Sequence, residues 1–322
     1  MGNSDTLDEG PTGDERPVGA VSGTSVSISE PANVRLGRGK LTLRRFLRNK
    51  LAVIGLIGIL LLIIIATLGP YLLPWGYLDI DKKAFLKPPS AKHWLGTTQA
   101  GRDVLALTIA GMRKSLIIGF LAGTIATGLA SVVGTAAAYF GGWTQRIALW
   151  VIDLLLIVPS TLIIAVMMKG GVNHDYAWVV LALLLGAFGW MITGRVMRSM
   201  TLSIRNREYV LAAKYMGLPP WKIITRHIIP NISSYMIVDL TLGVGGYILA
   251  ETGLSFLGLG IQAPDTSLGT LIGEGARMAT TYSWIFLTPS AILVFLVLCI
   301  NAVGDGLRDA LDPSSQSGGS AA

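Results

Sequence analysis

The stretch LAVIGLIGILLLIIIATLGPYLL, residues 51–73, decides the fold. It carries no charge, and it exceeds the roughly 20 residues a helix needs to cross the hydrocarbon core of a bilayer. A basic cluster stands directly before it: Arg35, Arg38, Lys40, Arg44, Arg45, Arg48 and Lys50. The run is too long for the core of a secretory signal, and no small-residue cleavage site follows it, so it reads as an uncleaved anchor. The residues before it differ. Residues 1–40 are rich in Gly, Ser, Thr, Pro and acids without apolar periodicity, and they read as a disordered tail; residues 314–322 read as a short flexible one.

Five more apolar runs follow, at about 115–138, 147–168, 177–197, 233–254 and 284–303. Charged residues are 14% of the chain, against about a quarter in soluble proteins, so the length counts membrane spans rather than soluble domains. Every backbone polar group in lipid must be bonded within its own segment, and continuously apolar runs do not alternate as barrel strands do. The expected fold is therefore an all-α integral membrane bundle of six transmembrane helices over 41–313. Lys and Arg concentrate before residue 51 and in 198–230, which places both termini in the cytoplasm. The net charge of +7 then reports orientation against the lipid bilayer, and no nucleic-acid partner is expected. The single cysteine, Cys299, excludes an intrachain disulfide.

Within the second run Ser115, Gly119, Gly123, Thr127, Ser131 and Thr135 recur every four residues. Small side chains on one helix face let a second helix approach closely; that helix belongs either to a partner subunit and the translocation path, or to this same chain. Asp153, Asp239 and Glu251 lie in or near apolar spans, where acids are costly and usually face a cavity or a partner. They are candidates for the translocation path, with Arg195 as a possible counter-charge. His93, His174 and His227 are far apart and have no Cys, Asp or Glu at ligand spacing, so no metal site is expected. No catalytic constellation and no phosphate-binding G-x-x-x-x-G-K-[ST] loop occurs. The chain is not expected to be an enzyme or to bind a cofactor; any ATP and Mg would sit on another polypeptide.

The longest inward loop, 203–230, reads SIRNREYVLAAKYMGLPPWKIITRHIIP. Glu208 to Met216 favours a helix, Gly217 is a natural stop and Pro219-Pro220 forbids continuation. A second short helix is expected over Trp221 to Ile229, ended by Pro230. Such a helix-turn-helix can act as a lever between spans four and five. In that reading Ala212 and Ala213 let it lie close to the wall of a partner groove, Tyr209, Tyr215 and Leu211 supply larger anchors, and Gly217 permits the reversed turn.

At this loop the chain resembles the permease subunits of bacterial dipeptide and oligopeptide (peptide/nickel-type) ABC importers, the inner-membrane components of binding-protein-dependent transport. Ala212, Ala213, Gly217 and Pro230 match their E-A-A loop, with Leu211, His227 and Ile229 as departures. HWLGTTQAGRDV (93–104) with GMRKSL (111–116), SFLGLG (255–260) after Glu251, and GDGLRDALDP (304–313) are similar to further stretches of that family, which usually has Asp where Thr98 stands. The resemblance covers about 42–313 and is closest to the shorter-looped of the usual two permeases. It implies six spans in the bacterial inner membrane, the 203–230 loop as an ATPase-coupling element, and import by alternating access. The implied partners are a second homologous permease, one or two ATPase subunits and an extracytoplasmic substrate-binding protein. Short peptides are the expected solute, with nickel or its chelate, haem or another small compound as alternatives. From other classes, an intramembrane enzyme lacks its constellation, and a passive channel has no use for a docking loop.

Overall fold

The computed structural model describes residues 38–170 and 176–312. Most of the expected N-terminal tail, the C-terminal tail and His174 lie outside the described residues. Residues 38–40, assigned to that tail above, instead open a helix. The described residues form twelve helices and no strand, with one isolated bridge between Thr97 and Asp103.

An amphipathic helix α1 (Arg38–Arg48) leads into α2 (Lys50–Leu72). Asn49 caps α2 by accepting from the Ala52 N–H. The buried face of α2 is small, with Ala52, Gly55, Gly58, Ala66 and Gly69 in its seam. It packs on α12 (Ser283–Leu311) so closely that a Cβ at Gly55 would lie 2.7 Å from the Cys299 carbonyl. Leu51, Ile54, Ile57 and Leu61 on its other side stay exposed from this chain, as a lipid-facing stripe requires.

The second span is α3 (Val104–Phe140), 37 residues. Its rise of about 55 Å exceeds the ~30 Å hydrocarbon core. The helix extends beyond the apolar run expected at about 115–138, through Lys114 and Arg113 to Val104. Two of the expected spans are bent pairs of helices. The third is α4 (Gly142–Ile157) with α5 (Ser160–Lys169), bent by 72°; the fourth is α6 (Ala177–Gly189) with α7 (Met191–Ile204), bent by 43°. Pro159 explains the first break, since it offers no N–H to the α4 ladder. The second has no proline. It falls at Gly189 and Trp190, where the absent Cβ of Gly189 admits the Tyr247 ring. With each bent pair counted as one span, the spans number six.

The expectation for 220–230 needs correction. After α8 (Glu208–Tyr215) comes α9 (Pro220–Ile223), then one π turn (Ile224–Ile228), then α10 (Ile229–Phe256). Residues 220–256 form one continuous helix of 37 residues, so Pro230 does not end a helix but sits in the second position of α10. A proline ring normally collides with the carbonyl four residues back; the wider π turn immediately before it relaxes that register. Pro220 occupies a first-turn position, where its missing N–H costs nothing. A last short helix, α11 (Leu268–Ala276), lies between α10 and α12 and starts with a capping box at Ser267.

The stripe on α3 forms the centre of the bundle. A Cβ at Gly119 would lie 2.5 Å from Ile248 Cγ1 and 3.0 Å from the Val244 carbonyl of α10, and one at Gly134 would lie 2.5 Å from the Gly194 carbonyl of α7. Ser115, Thr127, Ser131 and Thr135 are buried along it. Gly128, on the same helix, has nothing within 4 Å of its Cβ position. Gly134→Val is therefore expected to destabilise the protein by about 1–3 kcal/mol, since backbone cannot yield as a side chain does, and Gly128→Val to leave it unchanged. Thermal unfolding of the two variants in detergent, read by fluorescence, checks this; equal midpoints would mean that the seam is not tight.

Candidate functional site

The α8 hairpin is built on its own apolar knot. Val210 and Ala213 are buried against Ile223 and Ile228, with Tyr139 at the end of α3 and Ile204 at the end of α7 packed around them. Arg205 donates to the Ala138 carbonyl at 2.7 Å, tying the same end of α3 to the loop. At the end of α8 the Leu218 N–H bonds the Ala213 carbonyl and the Gly217 N–H bonds that of Lys214, with Gly217 at φ +77°. This is the reversed turn that glycine makes without a Cβ penalty. Of the residues expected to face a partner, Glu208, Tyr209 and Ala212 are exposed, Leu211 is half-buried, and Tyr215 is 83% exposed. Ala213 is fully buried. Its expected place against a partner groove is therefore corrected: its methyl fills the knot between α8 and the π turn. Met216, 71% exposed, and Trp221, 63% exposed, join Tyr215 on the outer ridge instead.

The three intramembrane acids have three different environments. Glu251 is sealed, accepting from Ser115 Oγ and Ser255 Oγ at 2.7 Å each. Ser115 in turn accepts from the Leu268 N–H. Glu251 is the knot joining α3, α10 and α11, and it lines neither of the two clefts described below. The hydroxyls of the two serines explain why a buried acid is tolerated there. Asp153 on α4 pairs with Arg195 on α7, side chains 57% and 47% exposed. Asp239 on α10 accepts from Thr127 of α3 and Thr193 of α7, both at 2.9 Å. Thr127 thus links the small-residue stripe to Asp239, which lines a cleft. Of the rest of the stripe, Gly123 lies against Leu240 and Val244, while Ser131 and Thr135 bond back to their own helix.

That cleft, about 670 Å³, runs along α10 past Thr193, Asp239, Gly243 and Tyr247 to Arg308 and Asp312 at the end of α12. A second, of about 250 Å³, continues from Gly243 and Tyr247 past Gly246 and Ala250 to Ser160 and Thr161 of α5. Asp239, Gly243, Gly246, Tyr247 and Ala250 follow one another at spacings of three, four and one, the footprint of a single helix face. Tyr247, seated on Gly189, is the waist between the two cavities. Sequence reasoning singled out Asp239 from this face and missed the glycines and Tyr247. Their period was the available signal, but in an apolar helix it merges with ordinary packing.

At the opposite end of the bundle the HWLGTTQAGRDV segment forms a compact loop. His93 Nδ1 is 2.9 Å from Asp103 and its Nε2 3.4 Å from Asp81, with the Trp75 ring tilted against it, centroids 4.9 Å apart. Asp103 also caps α3 through the Ala106 N–H. A Cβ at Gly96, φ +79°, would meet Trp284 of α12 at 2.7 Å. Thr98 accepts from the Arg102 N–H and closes the turn. None of this was visible in the sequence, because Asp81 and Asp103 stand ten or more residues from His93. Among the described residues no group of three or more His, Cys, Asp or Glu is placed to hold a metal ion.

Comparison with known proteins adds the following. Residues 105–316 match the family described as binding-protein-dependent transport system inner membrane component, and residues 37–89 match the N-terminal TM domain of oligopeptide transport permease C. The chain is 52% identical over 280 residues to the oligopeptide transport system permease protein OppC of Mycobacterium tuberculosis (strain ATCC 25618 / H37Rv), covering 87% of this chain and 96% of the relative. It is 38% identical over 271 residues to the dipeptide transport system permease protein DppC of Alkalihalophilus pseudofirmus, covering 84% and 88%. It is 35% identical over 297 residues to the OppC of Bacillus subtilis, covering 92% and 95%.

The end loop carries a pH dependence. The Lys92 ammonium, 2.5 Å from Asp81, holds that carboxyl well below its usual range, helped by the Lys83 N–H and by His93. A carboxyl whose folded value is depressed contributes stability in full above its unfolded value, and that stability is lost as pH falls toward the folded one. The loop is therefore expected to loosen as pH drops below about 4, and Asp81→Asn to flatten that acid limb. Hydrogen exchange of the amides in 81–103 against pH is the check; an acid limb unchanged in the variant would contradict the assignment.

Proposed function

The chain belongs to the family of binding-protein-dependent transport system inner membrane components, and from that premise we propose that it conducts short peptides across the membrane as one permease subunit of an ATP-driven importer. The members it resembles are transport permeases, not enzymes, and systems of this kind include an ATPase and a substrate-binding protein. The observation that carries the reading is the polar face of α10, which lines two successive cavities across the bundle and is continuous with the α8 hairpin.

That continuity supplies a mechanism. The chain has no nucleotide loop of its own, so the motor must act by contact. A partner ATPase seated on Tyr215, Met216, Tyr209 and Trp221 pushes on α8. The push passes through Val210 and Ala213 to Ile223 and Ile228, which lie in the same continuous helix as Asp239 and Tyr247. Movement of that helix relative to α7 opens or closes the waist where Tyr247 meets Gly189. The groove is open on one side of this chain, and a second homologous permease completes its wall. Asp153 and Arg195 fit the same arrangement. Both lie about 14–17 Å along their helices from the α8 end, near mid-bilayer, where an exposed pair is costly unless protein or water covers it. In this reading the α8 end, with both termini, is cytoplasmic, and the His93 loop faces the substrate-binding protein.

Tyr215→Ala combined with Met216→Ala is expected to weaken ATPase association on the order of 30-fold, as truncation of interface anchors does, while the thermal midpoint stays that of the wild type. Ala213→Glu is expected to unfold the hairpin instead. Co-purification of the ATPase and peptide-stimulated hydrolysis by each variant separate the two. Full ATPase binding by the double variant would refute α8 as the docking element.

A further inference from the structure

Asp239 differs from the other two intramembrane acids in what its charge faces. Asp153 has the Arg195 guanidinium, and Glu251 is buried among hydroxyls. Asp239 lines the larger cleft, half-exposed, and its two oxygens receive only the neutral hydroxyls of Thr127 and Thr193. Among the described residues no cation pairs with it. The charged neighbours in the cleft wall are Arg308 and Asp312, both exposed, and Tyr235 and Tyr247 line the same cleft. Arg308 and Asp239 stand at a similar depth: Gly304 of α12 packs on Leu242 of α10, and each residue lies one turn from that contact toward the α8 end. They line the same cleft, with no ion pair between them.

A carboxylate held in place by two hydroxyls, lining a groove and with no ion-pair contact among the described residues, is a site for a mobile cation. The solute carries one. We propose that Asp239 is a specificity-determining residue that receives the ammonium group of a peptide as it passes the Tyr247 waist. The two threonines, from α3 and α7, aim the carboxylate into the cleft and leave a lone pair on each oxygen for the N–H donors of the ammonium. This inference rests on the peptide-import reading and deepens it: the path engages a backbone terminus that every free peptide shares, so side chains vary without loss of that contact.

The test uses the complete transporter in proteoliposomes, with both permeases, the ATPase and the binding protein. Uptake of trialanine and of N-acetyl-trialanine is measured for the wild type, for Asp239→Asn, and for Asp239→Asn carrying Thr193→Asp. Each variant's rate is divided by the wild-type rate for the same peptide, so that selection by the binding protein cancels. The expected result is a fall on the order of tenfold for trialanine in Asp239→Asn, the scale of a charged hydrogen bond. N-acetyl-trialanine should stay within about twofold of wild type, and the Thr193→Asp carboxylate should restore trialanine uptake. Equal losses for both peptides would show a structural role for Asp239 and overturn the proposal, as would no loss for either or no rescue by Thr193→Asp. A wild type that imports trialanine keeps the peptide-import reading standing whichever way the variants fall; one that imports neither peptide ends both.

Discussion

The close approach of α7 and α10 to α3 is the contact on which the other parts of the molecule depend. Lipid tails are as apolar as leucine, so burial alone does not hold membrane helices together; close packing and interhelical hydrogen bonds do. The residues of α3 supply both. Gly119 and Gly134 remove the atoms that would keep α10 and α7 away, and Ser115 and Thr127 place hydroxyls where α10 carries Glu251 and Asp239. The rotation of α10 is thereby fixed: Ile248 and Val244 face the seam, and the face with Asp239, Gly243, Gly246 and Ala250 turns toward the cavities. Without that seam the polar face would have no defined direction.

The second dependence runs along the chain. Because residues 220–256 form one helix, the second arm of the hairpin and the face that lines the groove belong to one continuous element. A connector ended at Pro230 would have interposed a hinge. The π turn at Ile224–Ile228 lets proline be passed without one. It also brings Ile228 into the knot with Val210, Ala213 and Ile223, so that the hairpin and the helix share one small core. The large exposed side chains Tyr215, Met216 and Trp221 then project from a stiff base rather than from a loose loop.

Much of this fold was legible in the sequence, for physical reasons that differ from part to part. The spans were legible because a bilayer demands long apolar runs, and α8 because Gly217 stops it where a positive φ is needed. The limits were equally physical. The apolar run at 115–138 gave the span but not the length of its helix, which continues through Arg113 and Lys114 to Val104. Pro230 was read as a terminator because local rules say nothing of a compensating π turn. Ala213 was placed on the partner side because composition cannot tell which face of an eight-residue helix is buried. Glu251 and Asp239 look alike in sequence, and only the tertiary placement of Ser115 and Ser255 against Thr127 and Thr193 separates a sealed knot from a cleft-lining charge.

The central claim is that one face of α10 lines the solute path and moves with the motor. Its most direct test is thiol accessibility in a Cys299→Ala background. Single cysteines at Gly243, Gly246 and Ala250 are compared with cysteines at Ile57 and Leu61, which lie on the exposed stripe of α2. The complete transporter is labelled with a membrane-impermeant maleimide, with and without ATP and peptide-loaded binding protein. The account predicts that the three α10 positions label faster than the α2 positions, and that their rates change when ATP and peptide are added while those of the α2 pair do not. Labelling at α10 as slow as at α2, or rates indifferent to ATP and peptide, would contradict it.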